Sequence, residues 1–233
     1  MRINKYVAET GYCSRRETDK LVEAKRITIN GVICEHGSRV QPGDLILIDG
    51  KPIKTKPKSV YIALNKPVGI TSTSERQVKG NMVDFVNHHE RVFPIGRLDK
   101  DSQGLILLTN DGDIVNKILR AEFGHEKEYI VTVDKPINQA FIRGMSNGVE
   151  ILGVMTKKCK VTRINDRTFK IILTQGLNRQ IRRMCKAFGY RVVKLERIRI
   201  MNIHLGNLPI GQWRDLSDQE RNELFSILDY QPV

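Results

Sequence analysis

No stretch of this 233-residue sequence approaches the ~18 consecutive apolar residues of a membrane span. The opening residues, MRINKYVAETGYC, contain no apolar leader core, so a cytoplasmic location is expected. Cysteine is scarce and scattered: Cys13, Cys34, Cys159 and Cys185 form no C-x-x-C pair. That spacing argues against a zinc site and against a disulfide framework, and the four thiols read as reduced, small apolar groups. No internal repeat is present. Negative charge is also short, with 26 acidic against 39 basic residues, a net charge of +13 and a pI near 9.7. Such an excess implies a polyanionic partner, nucleic acid before anionic membrane. The membrane reading lacks a helix with bulky apolar residues opposite Lys and Arg at a free end. With 40% hydrophobic residues, the chain can build a folded core.

Residues 1–50 read as one compact unit. Ile3, Tyr6 and Val7 share a helical face that ends at Gly11. Ser14 and Glu17 form a capping box that opens a second helix, with Leu21 and Val22 inward. Ile27–Ile29, an Asn30-Gly31 turn and Val32-Ile33 make a hairpin, and Leu45–Ile48 is another short strand. Residues 51–58, rich in Pro and Lys, read as a linker. Residues 59–233 form a larger α+β domain with much sheet. Its strands are expected at Val60–Leu64, Lys127–Asp134, Lys158–Ile164 and Thr168–Thr174, the last two joined as a hairpin. Helices are expected at Met82–Val86, around Ile114–Leu119, and after a second capping box at Ser217–Glu220.

The stretch GRLDKDSQGLILLTN (residues 96–110) sets two aspartates beside an arginine and ahead of an apolar run. It begins like a calcium loop, D-x-D-x-x-G. An EF-hand loop, however, needs a bidentate Glu at its twelfth position, which here is Asn110. Arg97 and Lys100 would also oppose a bound cation. What remains is a turn cap paired with Arg97, or chemistry.

The positive charge concentrates between Gly176 and Ile200, which hold eight basic residues and one acid, Glu196. Within this stretch Asn178 can cap a helix running to Phe188, with Gly189 just past its end. Ile181, Met184, Cys185 and Phe188 then share one face, and Arg179, Arg183 and Lys186 the opposite one. Arg182 lies on the border, where its stem can pack while its head turns inward.

The stretches ALNKPVGI (63–70), PIGRLDKDSQGL (94–105), HEKEYIVTVDKPI (125–137) and QGLNRQIRRMC (175–185) together resemble the RsuA-type branch of the ribosomal RNA pseudouridine synthases. The first unit, with SRRETDKLVE and ITING, resembles an S4 RNA-binding domain. One departure is Lys25, where S4 domains usually place a Gly to end the second helix. A lysine there must adopt the left-handed conformation or end the helix differently. A second is that the sequence stops at Val233, without the basic tail some members carry.

The resemblance implies an S4 domain followed by a catalytic domain built on a mixed, mostly antiparallel sheet. It makes Asp99 the catalytic carboxylate, Arg182 its ion-pair partner, and Tyr129 a stacking face for the target base. It gives Asp101 no catalytic role beyond capping a turn. Phosphate contacts are expected from Arg2, Lys5, Arg15, Arg16 and Lys20 in the first domain, and from Arg97, Arg179, Arg183 and Lys186 in the second. The implied reaction converts uridine to pseudouridine in large-subunit (23S) ribosomal RNA, with a transfer RNA open as a second substrate, and needs neither metal nor cofactor. A monomer is expected. The competing reading is an S4-domain ribosome assembly factor that binds RNA without catalysis, which would have no need of Asp99, Tyr129 and Arg182 together.

Overall fold

The computed structural model describes residues 1–75, 77–120 and 124–232. The chain divides into two compact units, one of residues 1–59 together with 89–91 and 110–112, the other of the remainder.

In the first unit, α1 (Ile3–Glu9) buries Ile3 and Val7, and α2 (Arg15–Glu23) buries Val22. The expected capping box is formed: the Glu17 amide donates to Ser14 Oγ, and Ser14 donates back to the Glu17 carboxylate. Lys25 ends α2 in the left-handed region, φ 56°, the strained alternative. Strands β1 (Ile27–Ile29), β2 (Val32–Ile33), β3 (Ile46–Ile48) and β4 (Lys51–Pro52) form a sheet in the order β2-β1-β3-β4. The expected linker is therefore shorter by two residues. Lys51 and Pro52 pair with β3 at the sheet edge, where a proline need donate to no further strand. Ile27, Val40, Ile46 and Ile48 complete this small core.

The second unit is a nine-stranded sheet whose seven-strand path uses β5 (Tyr61–Lys66), β7 (Gln103–Thr109), β8 (Lys127–Val133), β11 (Lys160–Arg163), β12 (Thr168–Leu173), β13 (Val192–Ile200) and β15 (Trp213–Asp215). The order is β11-β12-β8-β13-β7-β5-β15, with β6 (Phe93–Ile95) beside β7 and β14 (Ile203–His204) beside β13. All pairs are antiparallel except β7 with β13. Helices α3 (Met82–Val86), α5 (Gln139–Asn147) and α6 (Gln180–Ala187) pack with Ile62, Ile106, Val131 and Phe169. On the other face, α4 (Gly112–Leu119) and α7 (Asp218–Ile227) pack with Tyr61, Ala63, Leu105 and Leu107. Strands β5 and β7 are thus buried on both faces and read as continuous apolar runs. A small hairpin, β9 (Glu150–Ile151) and β10 (Val154–Met155), forms a separate two-stranded sheet whose Ile151 is buried in the same core as α3, α5 and α6. Among the described residues no helix is long and apolar enough to cross a membrane. The four cysteines are free, and burial pushes the Cys159 thiol up to about 11 and the Cys185 thiol to about 12.

Candidate active site

The acidic loop runs from Gly96 to Ser102, between β6 and β7. Gly96 enters it at φ 76°, a conformation that suits glycine. The preceding ALNKPVGI segment braces it. Lys66, fully buried, donates Nζ to the Pro67 and Ile70 carbonyls, both at 2.9 Å, and so holds a tight turn. From that turn the Gly69 amide reaches the Lys100 carbonyl at 2.8 Å. Ser72 Oγ donates to the Leu98 carbonyl (2.7 Å) and accepts from the Leu98 amide (3.1 Å). Burial lowers the Lys66 ammonium to about 8, against the pull of Asp101 and Asp99.

Helix α6 begins one residue later than the sequence suggests. Its N-cap is Arg179, not Asn178, and Arg179 is left-handed at φ 49°. A residue outside the helix does not follow the helical wheel, so Arg179 leaves the outer face assigned to it. Its guanidinium takes both carboxylate oxygens of Asp101, at 3.0 and 2.7 Å, and stands 3.7 Å from Asp99. That fork holds the Asp101 carboxyl below the usual carboxylate range. Arg182, expected against Asp99, meets Asp101 instead: Nε lies 3.5 Å from its carboxylate and Nη2 donates to its carbonyl at 2.9 Å. Nη2 also donates to Ser102 Oγ at 3.0 Å. The border position does turn the arginine inward, with its side chain 15% exposed, but onto the neighbouring acid. Asp101, assigned only a turn, is the anchor of both arginines. Asp99 is half-buried, its side chain 34% exposed.

A cavity of about 400 Å³ opens beside this loop. Asp99, Tyr129, Arg179 and Arg182 line it, so three strands of sequence separated by up to 83 positions converge there. Two further cations line it to which sequence reading assigned no role. Arg197 on β13 is buried, donating Nε to the Leu105 carbonyl at 2.7 Å with its guanidinium 5.9 Å from the Tyr129 ring centroid. Lys127 on β8 is half-buried, its ammonium lowered first by burial and then by Arg197. The available signal for Arg197 was parity: it stands two residues from Leu195, on the apolar side of its strand.

The remaining predicted RNA contacts scatter. Arg2, Arg15, Arg16 and Lys20 are exposed in the first unit, and Lys5 is half-buried and 3.5 Å from Glu9. In the second unit Arg97 is exposed and lines the cavity, and Lys186 is exposed. Arg183 folds back on Asn178, donating to its carbonyl (3.0 Å) and its side-chain oxygen (3.2 Å).

Residues 60–187 match the family model described as RNA pseudouridylate synthase, and residues 1–46 match the S4 domain. The chain is 59% identical to the dual-specificity RNA pseudouridine synthase RluF of Escherichia coli (strain K12), over 98% of this chain and 80% of that protein. It is 32% identical to the ribosomal large subunit pseudouridine synthase B of Bacillus subtilis, over 98% and 97%. Among solved structures it resembles a crystal structure of pseudouridylate synthase, with TM-score 0.71 and 27% identity, over 96% of this chain and 99% of that one.

Proposed function

Because the chain belongs to the RNA pseudouridylate synthase family, we propose that this pseudouridine synthase acts on specific uridines of large-subunit (23S) ribosomal RNA, with Asp99 as its catalytic carboxylate. The observation that supports the residue assignment is that Asp99, Tyr129 and Arg182 line one and the same cavity. The large-subunit substrate is supported by the name of the Bacillus subtilis relative. The dual specificity named for the Escherichia coli relative supports a second RNA, for which transfer RNA is the candidate.

The chemistry breaks the N1–C1′ bond, turns the base and joins C5 to C1′. Nothing is added or oxidised, so the reaction as written calls for no metal and no cofactor. The target uridine leaves its helix to enter the cavity, where Tyr129 offers a stacking face. Asp99 then bonds to the sugar or takes a proton from it, which requires an ionised carboxylate. Arg182 acts one step removed, steadying the loop through the Asp101 carbonyl and Ser102. Arg97 sits at the cavity wall to replace the flipped base or meet backbone phosphate. Arg2, Lys5, Arg15, Arg16 and Lys20 of the S4 domain, with Arg183 and Lys186, supply phosphate contacts, and Arg179 divides its charge between RNA and the two aspartates. One chain supplies every residue named, so a monomer suffices, working in the cytoplasm on ribosomal RNA.

The test is incubation of purified protein with unmodified large-subunit RNA, followed by carbodiimide mapping of pseudouridine. The wild type should mark a specific uridine, and Asp99→Asn should mark none while RNA affinity stays within a few-fold. Turnover surviving in Asp99→Asn would overturn the assignment of the carboxylate.

A further inference from the structure

Lys127 and Arg197 are the anomaly of the cavity. Both line it, and among the described residues no carboxylate pairs with either. The acids beside Lys127 are committed elsewhere, Glu126 and Glu128 both to Arg199 at 2.8 Å. Arg197 is 3% exposed, and its Nη2 is buried without a hydrogen-bond partner. Burying a cation without a counter-charge opposes folding. A purely structural position would be served better by an apolar side chain.

The sheet decides where these charges point. Lys127 and Tyr129 are two residues apart on β8 and so share a face. Arg197 stands directly opposite Tyr129 on antiparallel β13, which puts it on the same face. The three side chains form one wall of the cavity that Asp99 also lines. A base stacked on Tyr129 would have the ammonium of Lys127 at its edge and the guanidinium of Arg197 behind the ring.

We propose that Lys127 and Arg197 form a cationic cradle that neutralises the negative charge the uracil ring acquires between detachment and re-attachment. This rests on the reading of Asp99 and Tyr129 given above. When N1–C1′ breaks, its electron pair stays on the base and spreads over N1, O2 and O4. C1′ is satisfied by a bond to the Asp99 carboxylate, or by loss of the C2′ proton to it. In either case the base remains an anion until C5 bonds to C1′ and C5 then releases its proton. Lys127 donates to the base oxygens, and Arg197 strengthens the field through the Tyr129 ring. Fixed charges of this kind, aimed where charge develops, accelerate bond breaking because they need no reorganisation.

The test compares uridine with 5-fluorouridine at the target position of the same RNA, in single-turnover reactions read by nuclease digestion and chromatography as loss of the parent nucleoside. Fluorine withdraws electrons and stabilises the departing anion without help from the protein. Lys127→Gln, at a half-exposed position, should slow loss of uridine by about 100-fold and loss of 5-fluorouridine by only about tenfold. RNA affinity should stay within a few-fold. Arg197→Lys, the second variant, should show the same inequality at smaller size. Equal losses on the two substrates would mean that Lys127 supports structure alone, and no loss on either would remove the cradle. Turnover by Asp99→Asn would instead indict the carboxylate assignment, leaving the uridine-to-fluorouridine ratio as an independent readout.

Discussion

Asp101→Asn removes the acid to which two arginines are tied, and its consequences can be worked through. The lost contacts are the fork from Arg179, at 3.0 and 2.7 Å, and the Arg182 Nε contact at 3.5 Å. The Asp101 and Arg179 side chains are 46% and 40% exposed, so water screens them. Pairs of that exposure are worth ~0.2–1 kcal/mol each, which puts the total loss near 1 kcal/mol. In a domain of this size that lowers Tm by roughly 2–4 °C. The effect on rate has a separate origin. Arg179, released from Asp101, lies 3.7 Å from Asp99 and becomes that acid's full ion-pair partner. About 1 kcal/mol of extra ground-state stabilisation slows turnover by roughly 5–10-fold. Asp101→Asn should therefore cut the single-turnover rate by that factor, far less than Asp99→Asn, and Arg179→Gln in the same chain should restore part of it. The stability difference also carries a pH signature. The folded carboxyl is held below its ordinary 3.8, so its contribution is present above that value and lost as pH falls through the lower folded one. The reasoning fails if Asp101→Asn runs at the wild-type rate, or if removing Arg179 deepens the defect.

Gly104→Ala should be among the most damaging single changes. Its φ is 106°, and an added Cβ would stand 2.3 Å from the Arg197 carbonyl oxygen and 2.7 Å from the Arg197 amide, prising β7 from β13. A loss above ~4 kcal/mol in urea unfolding is expected, whereas Gly176→Ala, which meets nothing within 4 Å, should leave the midpoint unchanged. Lys66 is lowered to about 8 from 10.5, so the unfolded chain binds more protons between those values and wild-type stability should rise with pH across that window. Lys66→Met should lack the rise, as read from denaturation midpoints at successive pH. Arg182→Ala gives up the Asp101 carbonyl and Ser102 contacts, costing ~2 kcal/mol and slowing turnover with little change in the salt dependence of binding. Lys186→Ala should do the reverse, lowering the salt slope by about one unit at an unchanged chemical rate; identical behaviour of the two variants would make Arg182 another surface charge.

Features settled within three or four residues could be read directly from the sequence. The capping boxes at Ser14–Glu17 and Ser217–Glu220, the Asn30-Gly31 hairpin and the buried pair Ile3 and Val7 each depend on local geometry, and each is formed in the structure. The charge balance and the family motifs likewise sufficed to identify a pseudouridine synthase carrying an S4 domain. Helix α5 went unforeseen although Asn138 caps it and Phe141 and Met145 face inward, and β13 was hidden because its charged residues blur the alternation. Other features depended on partners far away in sequence. Arg179 leaves the helical wheel because its backbone turns left-handed, which carries its guanidinium to an acid 78 residues earlier. Arg182 finds Asp101 rather than Asp99 because the loop after β6 is braced by Lys66 and Ser72 into one particular path. Arg197 counts as one basic residue among eight in its stretch of sequence; only the pairing of β13 between β7 and β8 turns it inward, behind Tyr129, where a surface cation becomes part of the cavity wall.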